Sequence, residues 1–394
     1  MDIYYILILI FVIILLVIYS YFKLKHSFWS KQPMYHIYNL KLLLKKNTII
    51  SNELPGLNKF VNTFNINTIT NNDCDKKTQD NIVEFIKDNY NNTNNTNYKF
   101  IPHPDFIFSY FNYSNRNCYY SIYYKENIEY DASNNIFDNK DIIMGSLLSR
   151  PLNINLNNSK FLIYYSEYMC VDKSQRKKNI ACELIQTHYY DIKNKHKSEN
   201  SIGLFKCENT PITTVNPIIK TTNYIFNVFD WKQPIYNSLY SYLRINKQNF
   251  HLIIDILQTN DFKLNIIPDY STLFSLIESN NYAIYSFYYE KEICGLYFFR
   301  KTLCYIDEHD VIYDCISSIN LNNDCFVKGF HICMFDLCKI EKFKYLNIEN
   351  IANNNILINE VIKFHKPINN YNSYYYFYNY ICDTIDSNDA LLLT

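Results

Sequence analysis

The sequence lacks the spacings that mark metal centres and the charge surplus that marks nucleic-acid binders. No Cys-x-x-Cys pair occurs among its 12 cysteines and no His-x-x-x-His spacing among its 9 histidines, so we predict no metal site. Lysine plus arginine and aspartate plus glutamate each total 38, so general nucleic-acid binding is not expected either. Glycine is scarce, with 5 residues.

Disulfides are also not expected. Cys170, Cys294, Cys304 and Cys333 lie within apolar runs, where a reduced thiol behaves as a small hydrophobic side chain. Cysteines without paired spacing are typical of a reducing compartment, and we interpret these as free thiols.

The length of 394 residues exceeds one typical hydrophobic core and predicts two domains of ordinary size. We divide the chain into an anchor over 1–25, a first domain over 26–225 and a second domain over 226–394. Asparagine-rich runs such as 91–95 are typical of loops.

The N-terminal residues 3–22 form an apolar and aromatic run that is long enough to cross a bilayer. Lys23, Lys25 and His26 follow it, and no small-residue cleavage site lies near its end, so an uncleaved anchor is predicted. The positive charges after the run place the rest of the chain on the cytosolic side. The alternative is a buried core helix.

The pattern of residues 161–188 predicts a buried strand, a basic turn and an amphipathic helix. The strand is apolar and aromatic from Phe161 to Val171. The helix that follows places one set of residues on a single face, namely Ile180, Ala181, Leu184, Ile185 and His188.

The turn between that strand and helix holds Arg176, Lys177 and Lys178 directly before a helix start at Asn179. A helix N-terminus with cations beside it binds anions, and this one suits the pyrophosphate of coenzyme A. The chain is therefore a candidate acyltransferase, with a plain solvated turn as the alternative. Acetyltransferase-type folds carry glycine where Asn179 stands, and asparagine tolerates a positive φ best after glycine.

The remaining elements follow from hydrophobic periodicity, with a surface arm over 26–60 and an Asn/Asp loop over 131–140. Strands are predicted over 104–127, 142–171, 202–207, 282–289, 294–299, 311–319, 344–350 and 374–381. Helices are predicted over 80–88, 179–194, 249–259, 271–279, 328–342 and 355–364. The order strand–strand–strand–helix–strand occurs twice, which indicates a duplicated α/β unit.

Five segments match, in order, the motifs of one enzyme family. They are Phe28-Trp29-Ser30-Lys31-Gln32-Pro33, Tyr168-Met169-Cys170-Val171 with 175–181, then 211–223, 375–380 and 390–394. In these segments the chain resembles the eukaryotic glycylpeptide N-tetradecanoyltransferases, or N-myristoyltransferases. It departs from the family at Asn179, where a basic residue is usual, at Ile218 and Ile219, where Trp and His are usual, and in its last residue, Thr394.

The resemblance implies an α/β fold with a mixed sheet, built from two fused acyl-CoA N-acyltransferase (GNAT-like) halves with pseudo-twofold symmetry behind one transmembrane helix. It implies that the first half binds acyl-CoA and the second binds peptide. The implied reaction is direct attack of an N-terminal glycine amine on the thioester of myristoyl-CoA. Myristoyl-CoA would be a co-substrate, with no permanently bound cofactor, and the protein would be a membrane-anchored monomer.

The same resemblance implies the site residues. The terminal carboxylate of Thr394 would be the base, and the backbone N–H groups of Tyr168 and Met169 would form the oxyanion hole. Thr214 and Asn223 would line the glycine pocket. Acyl-CoA would be held by Phe28, Trp29, Gln32, Cys170, Val171, Arg176, Lys177, Lys178, Asn179, Ile180 and Ala181.

Each assignment has a structural alternative. Tyr168 and Met169 would then be ordinary ladder residues, Thr394 a frayed tail, and Thr214 and Asn223 parts of a hydrogen-bonded loop. Glu167 and His188 are not assigned as an acid–base pair, because His188 lies on the apolar helix face. The competing functions are a related CoA-dependent N-acyltransferase with another acceptor, and a non-catalytic membrane-anchored module of the same fold.

Overall fold

The computed structural model describes residues 2–39, 45, 47–90, 98–131, 136–198, 202–306 and 309–394. Its helices are α1 (Asp2–Lys25), α2 (Lys76–Asn89), α3 (Pro104–Phe108), α4 (Ile180–Asn194), α5 (His251–Thr259), α6 (Tyr270–Glu278), α7 (Asn323–Glu341) and α8 (Asn354–Val361). The first strands are β1 (Thr48–Ile49), β2 (Ile66–Thr70), β3 (Tyr98–Phe100), β4 (Tyr119–Asp131), β5 (Ile136–Leu156), β6 (Ser159–Val171), β7 (Gly203–Glu208), β8 (Ile219–Asn227) and β9 (Tyr240–Arg244). The others are β10 (Leu264–Ile267), β11 (Tyr282–Tyr289), β12 (Glu292–Ile306), β13 (Asp310–Asn320), β14 (Tyr345–Glu349), β15 (Asn369–Tyr378), β16 (Tyr380–Ile381) and β17 (Ala390–Leu392).

One mixed sheet of 15 strands runs through the molecule, and it contains two equivalent halves. The first half has the strand order β2-β4-β5-β6-β7, in which β6 and β7 are parallel and joined by α4. The second half repeats this order as β9-β11-β12-β13-β14, in which β13 and β14 are parallel and joined by α7. The duplication predicted from the sequence is confirmed.

The halves exchange a strand at the centre of the sheet. β15, from the end of the chain, pairs antiparallel with β7, while β8, from the middle of the chain, pairs antiparallel with β14. β8 and β15 then pair with each other, so the pseudo-twofold axis passes between them. A boundary near residue 225 therefore falls inside β8, within a continuous sheet.

Local signals explain the helix starts. Asp75 accepts a hydrogen bond from the backbone of Thr78 at the start of α2, and Asp269 does the same for Thr272 at the start of α6. In the second half, β11 packs between α6 and α7, and β13 contacts α8. Both strands are almost wholly buried, which is why their sequences are continuous apolar runs.

The sequence expectations differ from the structure in a few segments. Residues 104–108 form helix α3 rather than a strand, because His103 caps it and Pro104 occupies its first position. The loop expected over 131–140 is shorter, since β4 runs to Asp131 and β5 begins at Ile136. Several strands were not predicted, namely β1, β2, β3, β8, β9, β10 and β17. The run 91–95 and residues 40–44 and 46 of the arm lie outside the described residues.

α1 stands apart from this core. Residues Ile3–Lys25 are long and apolar enough to cross a membrane, and none of their hydropathic window is buried in the protein. The alternative of a buried core helix is therefore wrong.

Candidate active site

A β-bulge interrupts β6 at the residues expected to form the oxyanion hole. Glu167 pairs with Leu148 and Cys170 with Ser146, so Tyr168 and Met169 together oppose one residue of β5. Tyr168 has a φ of 53°, the left-handed value that lets a bulge turn the backbone out of the ladder. Sequence periodicity does not reveal such a bulge.

Beside this bulge, β6 and β7 separate. Their parallel pairing covers Tyr164 to Ser166 against Gly203 to Phe205, while β6 continues to Val171 and β7 to Glu208. In the described register, β5 places Leu147 opposite Tyr168 and Met169, whereas β7 has no residue paired with either of them. The two parallel strands therefore diverge at the bulge.

A cavity of about 1240 Å³ fills the split and extends between the two halves. Its walls include both strands, the arm through Trp29, the strand β12 around Arg300, and the last residue, Thr394. The cavity therefore brings together three of the regions that the resemblance assigned to the site: the bulge, the arm and the end of the chain.

The last residues are folded into the protein rather than frayed. β17 pairs in parallel with β10, the Leu393 amide donates to Ile266 O over 2.9 Å, and Thr394 is only 6% exposed. The backbone oxygen of Thr394 accepts hydrogen bonds from Arg300 Nη1 (2.6 Å) and Tyr282 Oη (3.2 Å). This part of the chain thus lies at a fixed position in the cavity wall.

Arg300 links that oxygen to a buried carboxylate. Its Nη2 lies 2.7 Å from Asp314 Oδ2, and Asp314 Oδ1 accepts a hydrogen bond from Asn347. Burial alone would lower the pKa of Arg300, but Asp314 outweighs it and the pKa is raised well above its usual value. The guanidinium therefore remains charged, and its charge is shared between Asp314 and Thr394.

A second buried ion pair lies next to the bulge. Arg150, 1% exposed, donates from Nε to Glu167 Oε1 over 2.7 Å, and Glu167 lines the cavity. The Arg150 guanidinium lies 4.8 Å from the ring centre of Tyr110 and 5.3 Å from that of Tyr165. This contact with two aromatic faces explains how Nη1 and Nη2 are buried without a hydrogen-bond partner.

The basic turn has the backbone that the sequence predicted. Asn179 is the N-cap of α4 with φ 65° and ψ 4°, and no side chain caps the first turn of the helix. Arg176 lines the cavity and donates to the backbone oxygen of Asn89 over 2.6 Å, which joins the turn to the end of α2. Lys177 and Lys178 are exposed beside it, so the helix start is positively charged.

The arm is held to the body by polar and aromatic contacts. Gln32 is buried, donates to Gln186 of α4 over 3.0 Å and accepts from Tyr378 Oη over 2.7 Å. Phe28 packs against Phe60, and Trp29 stacks on Phe205 in the cavity wall. Of these three expected CoA contacts, the structure places Trp29 in the cavity and gives Phe28 and Gln32 packing partners.

The other expected residues are divided between the cavity and the core. Cys170 and Val171 line the cavity, whereas Ile180 and Ala181 form the first turn of α4 outside the described lining. Buried Thr214 lies 3.3 Å from His36 Nδ1. Asn223 is also buried and reaches the site through Asn347, whose amide lies 3.1 Å from Asn223 Oδ1. Among the residues described, neither of these two lines the cavity, and their substrate role remains an expectation.

The equivalent position in the second half is closed. β13 also has a register shift, between the pairs Phe298–Ser317 and Phe299–Cys315, beside the end of its pairing with β14. There the side chain of Asn354 donates to Cys315 O and to Glu349 O, both over 2.9 Å, and so bridges the two strands. α7 is moreover capped by the side chain of Asn322, which accepts from the Asp324 N–H, whereas no side chain caps α4; each helix has one acidic residue in its first turn.

Sequence reasoning missed two arginines of the site, buried Arg150 and half-buried Arg300. Arg150 and Arg300 each come at the end of an apolar strand segment, and the chain has only five arginines among its 38 basic residues. A charged residue within an apolar strand is rarely buried without a partner. The position of these two arginines was therefore the signal in the sequence that could have identified them as site residues. His188, left unassigned, is a core residue that bridges Ser121 and Ser149 over 2.8 and 2.9 Å.

The two halves, each with a helix between parallel strands that then diverge, define a duplicated acyl-CoA N-acyltransferase fold. Solved structures of N-myristoyltransferase from Saccharomyces cerevisiae share it. One with bound myristoyl-CoA matches with a TM-score of 0.67 and 11% identity over 92% of this chain and 94% of that one. Another, with bound myristoyl-CoA and inhibitors, matches with a TM-score of 0.66 and 12% identity over 92% and 91%.

No protein-family model matches the sequence, and no curated protein matches it significantly. At 11–12% identity the likeness establishes the fold, and the activity has to be argued from the site.

Proposed function

We propose that this protein is an N-myristoyltransferase that transfers a myristoyl group from myristoyl-CoA to the N-terminal glycine of proteins. The observation that carries the proposal is the meeting of the β6 bulge and the buried end of the chain at one cavity, in a fold shared with a myristoyl-CoA-binding enzyme. The three demands of the reaction are met by separate parts of this site.

The first demand is to bind the pyrophosphate of the acyl-CoA. The uncapped start of α4 offers backbone N–H groups, and Arg176, Lys177 and Lys178 add positive charge. The opening between β6 and β7 leads from this helix to the apolar cavity walls, where a fourteen-carbon chain gains about 0.8 kcal/mol per buried CH₂.

The second demand is to stabilise the negative charge on the thioester oxygen. The backbone N–H groups of Tyr168 and Met169 are proposed to donate to it, because they lie at the bulge where β7 has no residue paired with them. The glycine nitrogen forms a bond to the carbonyl carbon, the carbon–sulfur bond breaks, and coenzyme A leaves as the thiolate.

The third demand is to attract the ammonium group and accept its proton. The Thr394 carboxylate is proposed for this task, held by Arg300 and Tyr282. Because Asp314 shares the Arg300 charge, two carboxylates face one guanidinium, and net negative charge remains beside the cavity for a cationic amine. An α-carboxylate is a weak base in water, so its contribution comes from placement.

The proposed location is a membrane, with α1 as a single span and the two halves on the cytosolic side. The supporting features are the exposed apolar helix and the lysines that follow it. A cytosolic acyltransferase domain also agrees with its 12 free cysteines.

The test is transfer from labelled myristoyl-CoA to a peptide that begins with glycine, catalysed by the full-length protein in lipid nanodiscs. We expect transfer to this peptide and none to the same peptide beginning with alanine. One glycine appended after Thr394 moves the carboxylate, and we expect it to lower the rate at least about 100-fold. Thr394→Ser keeps the carboxylate in place and should retain the rate.

Two outcomes would contradict the proposal in different ways. Transfer of another acyl chain, or to another amine, would indicate a related CoA-dependent N-acyltransferase. Tight binding of myristoyl-CoA without transfer to any amine would indicate a non-catalytic module. Binding and transfer should therefore be measured on the same preparation.

A further inference from the structure

The end of the anchor helix is joined to the cavity wall by a very short connection. α1 ends at Lys25, and Trp29, which stacks on Phe205 in the cavity wall at a ring-centre distance of 5.8 Å, follows four residues later. Four residues span at most about 14 Å even when extended. The mouth of the cavity next to Trp29 therefore lies close to the point where the helix ends.

That connection is ordered. The backbone bonds from His26 N to Phe22 O and from Ser30 N to His26 O continue the helical path into the arm. Tyr19 of the helix also contacts Tyr38, at 5.4 Å between ring centres. The helix thus has a defined direction relative to the body.

The last turns of α1 have the composition of a membrane–water boundary. Lys23 and Lys25 donate to the hydroxyl groups of Tyr19 and Tyr21, over 3.3 and 2.9 Å. Tyrosines with basic residues are typical of the headgroup level. Trp29 then follows just beyond this level, on the side of the protein body.

The segments around the arm form a surface suited to a bilayer, which we call the membrane-facing surface. Between 23 and 60 the described residues include five lysines and one acidic residue, Glu53, in a chain whose net charge is zero. The lysines are Lys23, Lys25, Lys31, Lys45 and Lys59. Large apolar side chains are exposed in the same segments: Ile37 by 58%, Leu54 by 65% and Leu57 by 75%.

This surface is continuous with the arm and with the anchor. Phe60, in the segment of Leu54 and Leu57, packs on Phe28 next to Trp29, with ring centres 5.2 Å apart. A cluster of lysines directly after a membrane span attracts anionic lipid headgroups, at about 1 kcal/mol for each basic residue near the surface. Exposed apolar side chains among those lysines can enter the headgroup region.

We infer that this membrane-facing surface lies on an anionic bilayer and places the mouth of the cavity at the lipid surface. Amphiphilic acyl donors would then enter from the membrane rather than from free solution. The inference rests on the proposed anchor, and it does not require the proposed transfer reaction.

The two tryptophans of the chain allow a direct test in nanodiscs. Trp231→Phe leaves Trp29 as the only tryptophan, and Trp29→Phe leaves Trp231, which is buried in the second half against His365; excitation at the red edge of the absorption band excites tryptophan rather than tyrosine. With lipids brominated near the headgroup, we expect several-fold stronger quenching of Trp29 than of Trp231. Adding phosphatidylserine to phosphatidylcholine discs should increase the quenching of Trp29 only.

Charge variants separate the surface from the anchor. Lys31→Gln combined with Lys59→Gln should reduce the effect of phosphatidylserine on Trp29, whereas Lys339→Gln, at the exposed end of α7, should not change it. Equal quenching of the two tryptophans, in a chain that resists alkaline carbonate extraction, would overturn the inference while leaving the anchor. Extraction of the protein by alkaline carbonate would overturn both the inference and the proposed anchor. Neither readout depends on acyl transfer, so inactivity of the enzyme would not affect them.

Discussion

Asn179 shows how one residue forms the left-handed turn before α4 without glycine. An N-cap usually has extended backbone angles, but Asn179 is left-handed, with φ 65°. A residue with a Cβ atom pays about 1–2 kcal/mol in this region, and asparagine offsets part of that cost through local hydrogen bonding. A chain with only five glycines thus forms this left-handed turn with asparagine.

Asn179→Gly is expected to leave the free energy of unfolding unchanged or slightly raised, because glycine adopts the left-handed region without strain. Asn179→Ala should lower it by about 1 kcal/mol. Urea unfolding of the two variants measures the difference. If alanine and glycine proved equally stable, the left-handed turn would not exist in solution.

His188 makes the stability of the protein depend on pH. Burial lowers its pKa from 6.5 to about 3, so the folded protein keeps the imidazole neutral between Ser121 and Ser149. The unfolded chain takes up a proton on this histidine below pH 6.5. The stabilising contribution of neutral His188 is therefore fully present above this pH and is lost as the pH falls towards 3.

We expect the contribution of His188 to the free energy of unfolding to fall by about 1.4 kcal/mol per pH unit below pH 6.5. At pH 5 the loss amounts to about 2 kcal/mol. His188→Gln should remove that part of the slope in urea unfolding measured from pH 7 to pH 5. His251→Gln, at an exposed position, is the matched control and should keep the full slope. Identical slopes in all three proteins would show that His188 is not buried as a neutral group.

At the scale of elements, the two strand splits differ. The split in the first half lines the cavity, and the equivalent split in the second half is closed by a side chain. In the first half the split between β6 and β7 is open to ligand, whereas in the second half Asn354 at the start of α8 hydrogen-bonds to both strands. A third hydrogen bond, from Ser318 Oγ to Asn354 Oδ1 over 2.6 Å, completes the bridge. The duplicated unit has therefore kept one split for binding and closed the other.

Asn354→Ala is expected to destabilise the protein by about 2–4 kcal/mol, because it leaves two carbonyls and a hydroxyl buried without their partner. Asn52→Ala, at an exposed position, should change the free energy of unfolding by less than about 0.5 kcal/mol. Urea unfolding gives both values, and myristoyl-CoA binding measured alongside should be unchanged, because Asn354 is remote from the basic turn. Equal stability of the two variants would contradict the bridging role.

The sequence predicted the elements whose pattern is local. β11 was expected over 282–289 and has these bounds, and the helix expected over 179–194 is α4, one residue shorter. The period of apolar residues and the cap residues suffice for such elements. The motif positions likewise led to the bulge residues Tyr168 and Met169.

The features that the sequence did not predict depend on distant contacts. β10 and β17 have three or four residues each, and they form strands through distant pairing. β10 pairs with β5 and with β17, each more than 100 positions away along the chain. α3 has only five residues and depends on its cap. The Arg300–Thr394 contact joins β12 to the end of the chain, and no local pattern encodes it.

For the whole molecule, the exchange of β8 and β15 makes the two halves interdependent. The first half needs β15 to cover β7, and the second needs β8 to cover β14. An uncovered central strand exposes its ladder of backbone groups, which favours aggregation. The boundary expected near 225 therefore separates similar folds but not independent ones.

Fragments 26–225 and 226–394, expressed separately, are expected to be insoluble or unfolded. When they are expressed together we expect a soluble heterodimer, because the exchanged strands can then pair. Solubility and circular dichroism of the single and combined fragments measure this. A stable, monomeric 26–225 fragment would show that β15 is not needed to complete the first half.

The same exchange sets the order of events on the ribosome. β15 leaves the exit tunnel about 165 residues after β7, a delay on the order of ten seconds at ordinary elongation rates. Throughout that interval the nascent chain has to protect an unpaired strand edge. Folding of this protein is therefore expected to rely on chaperones that act during translation, and to be sensitive to any pause before the last codons.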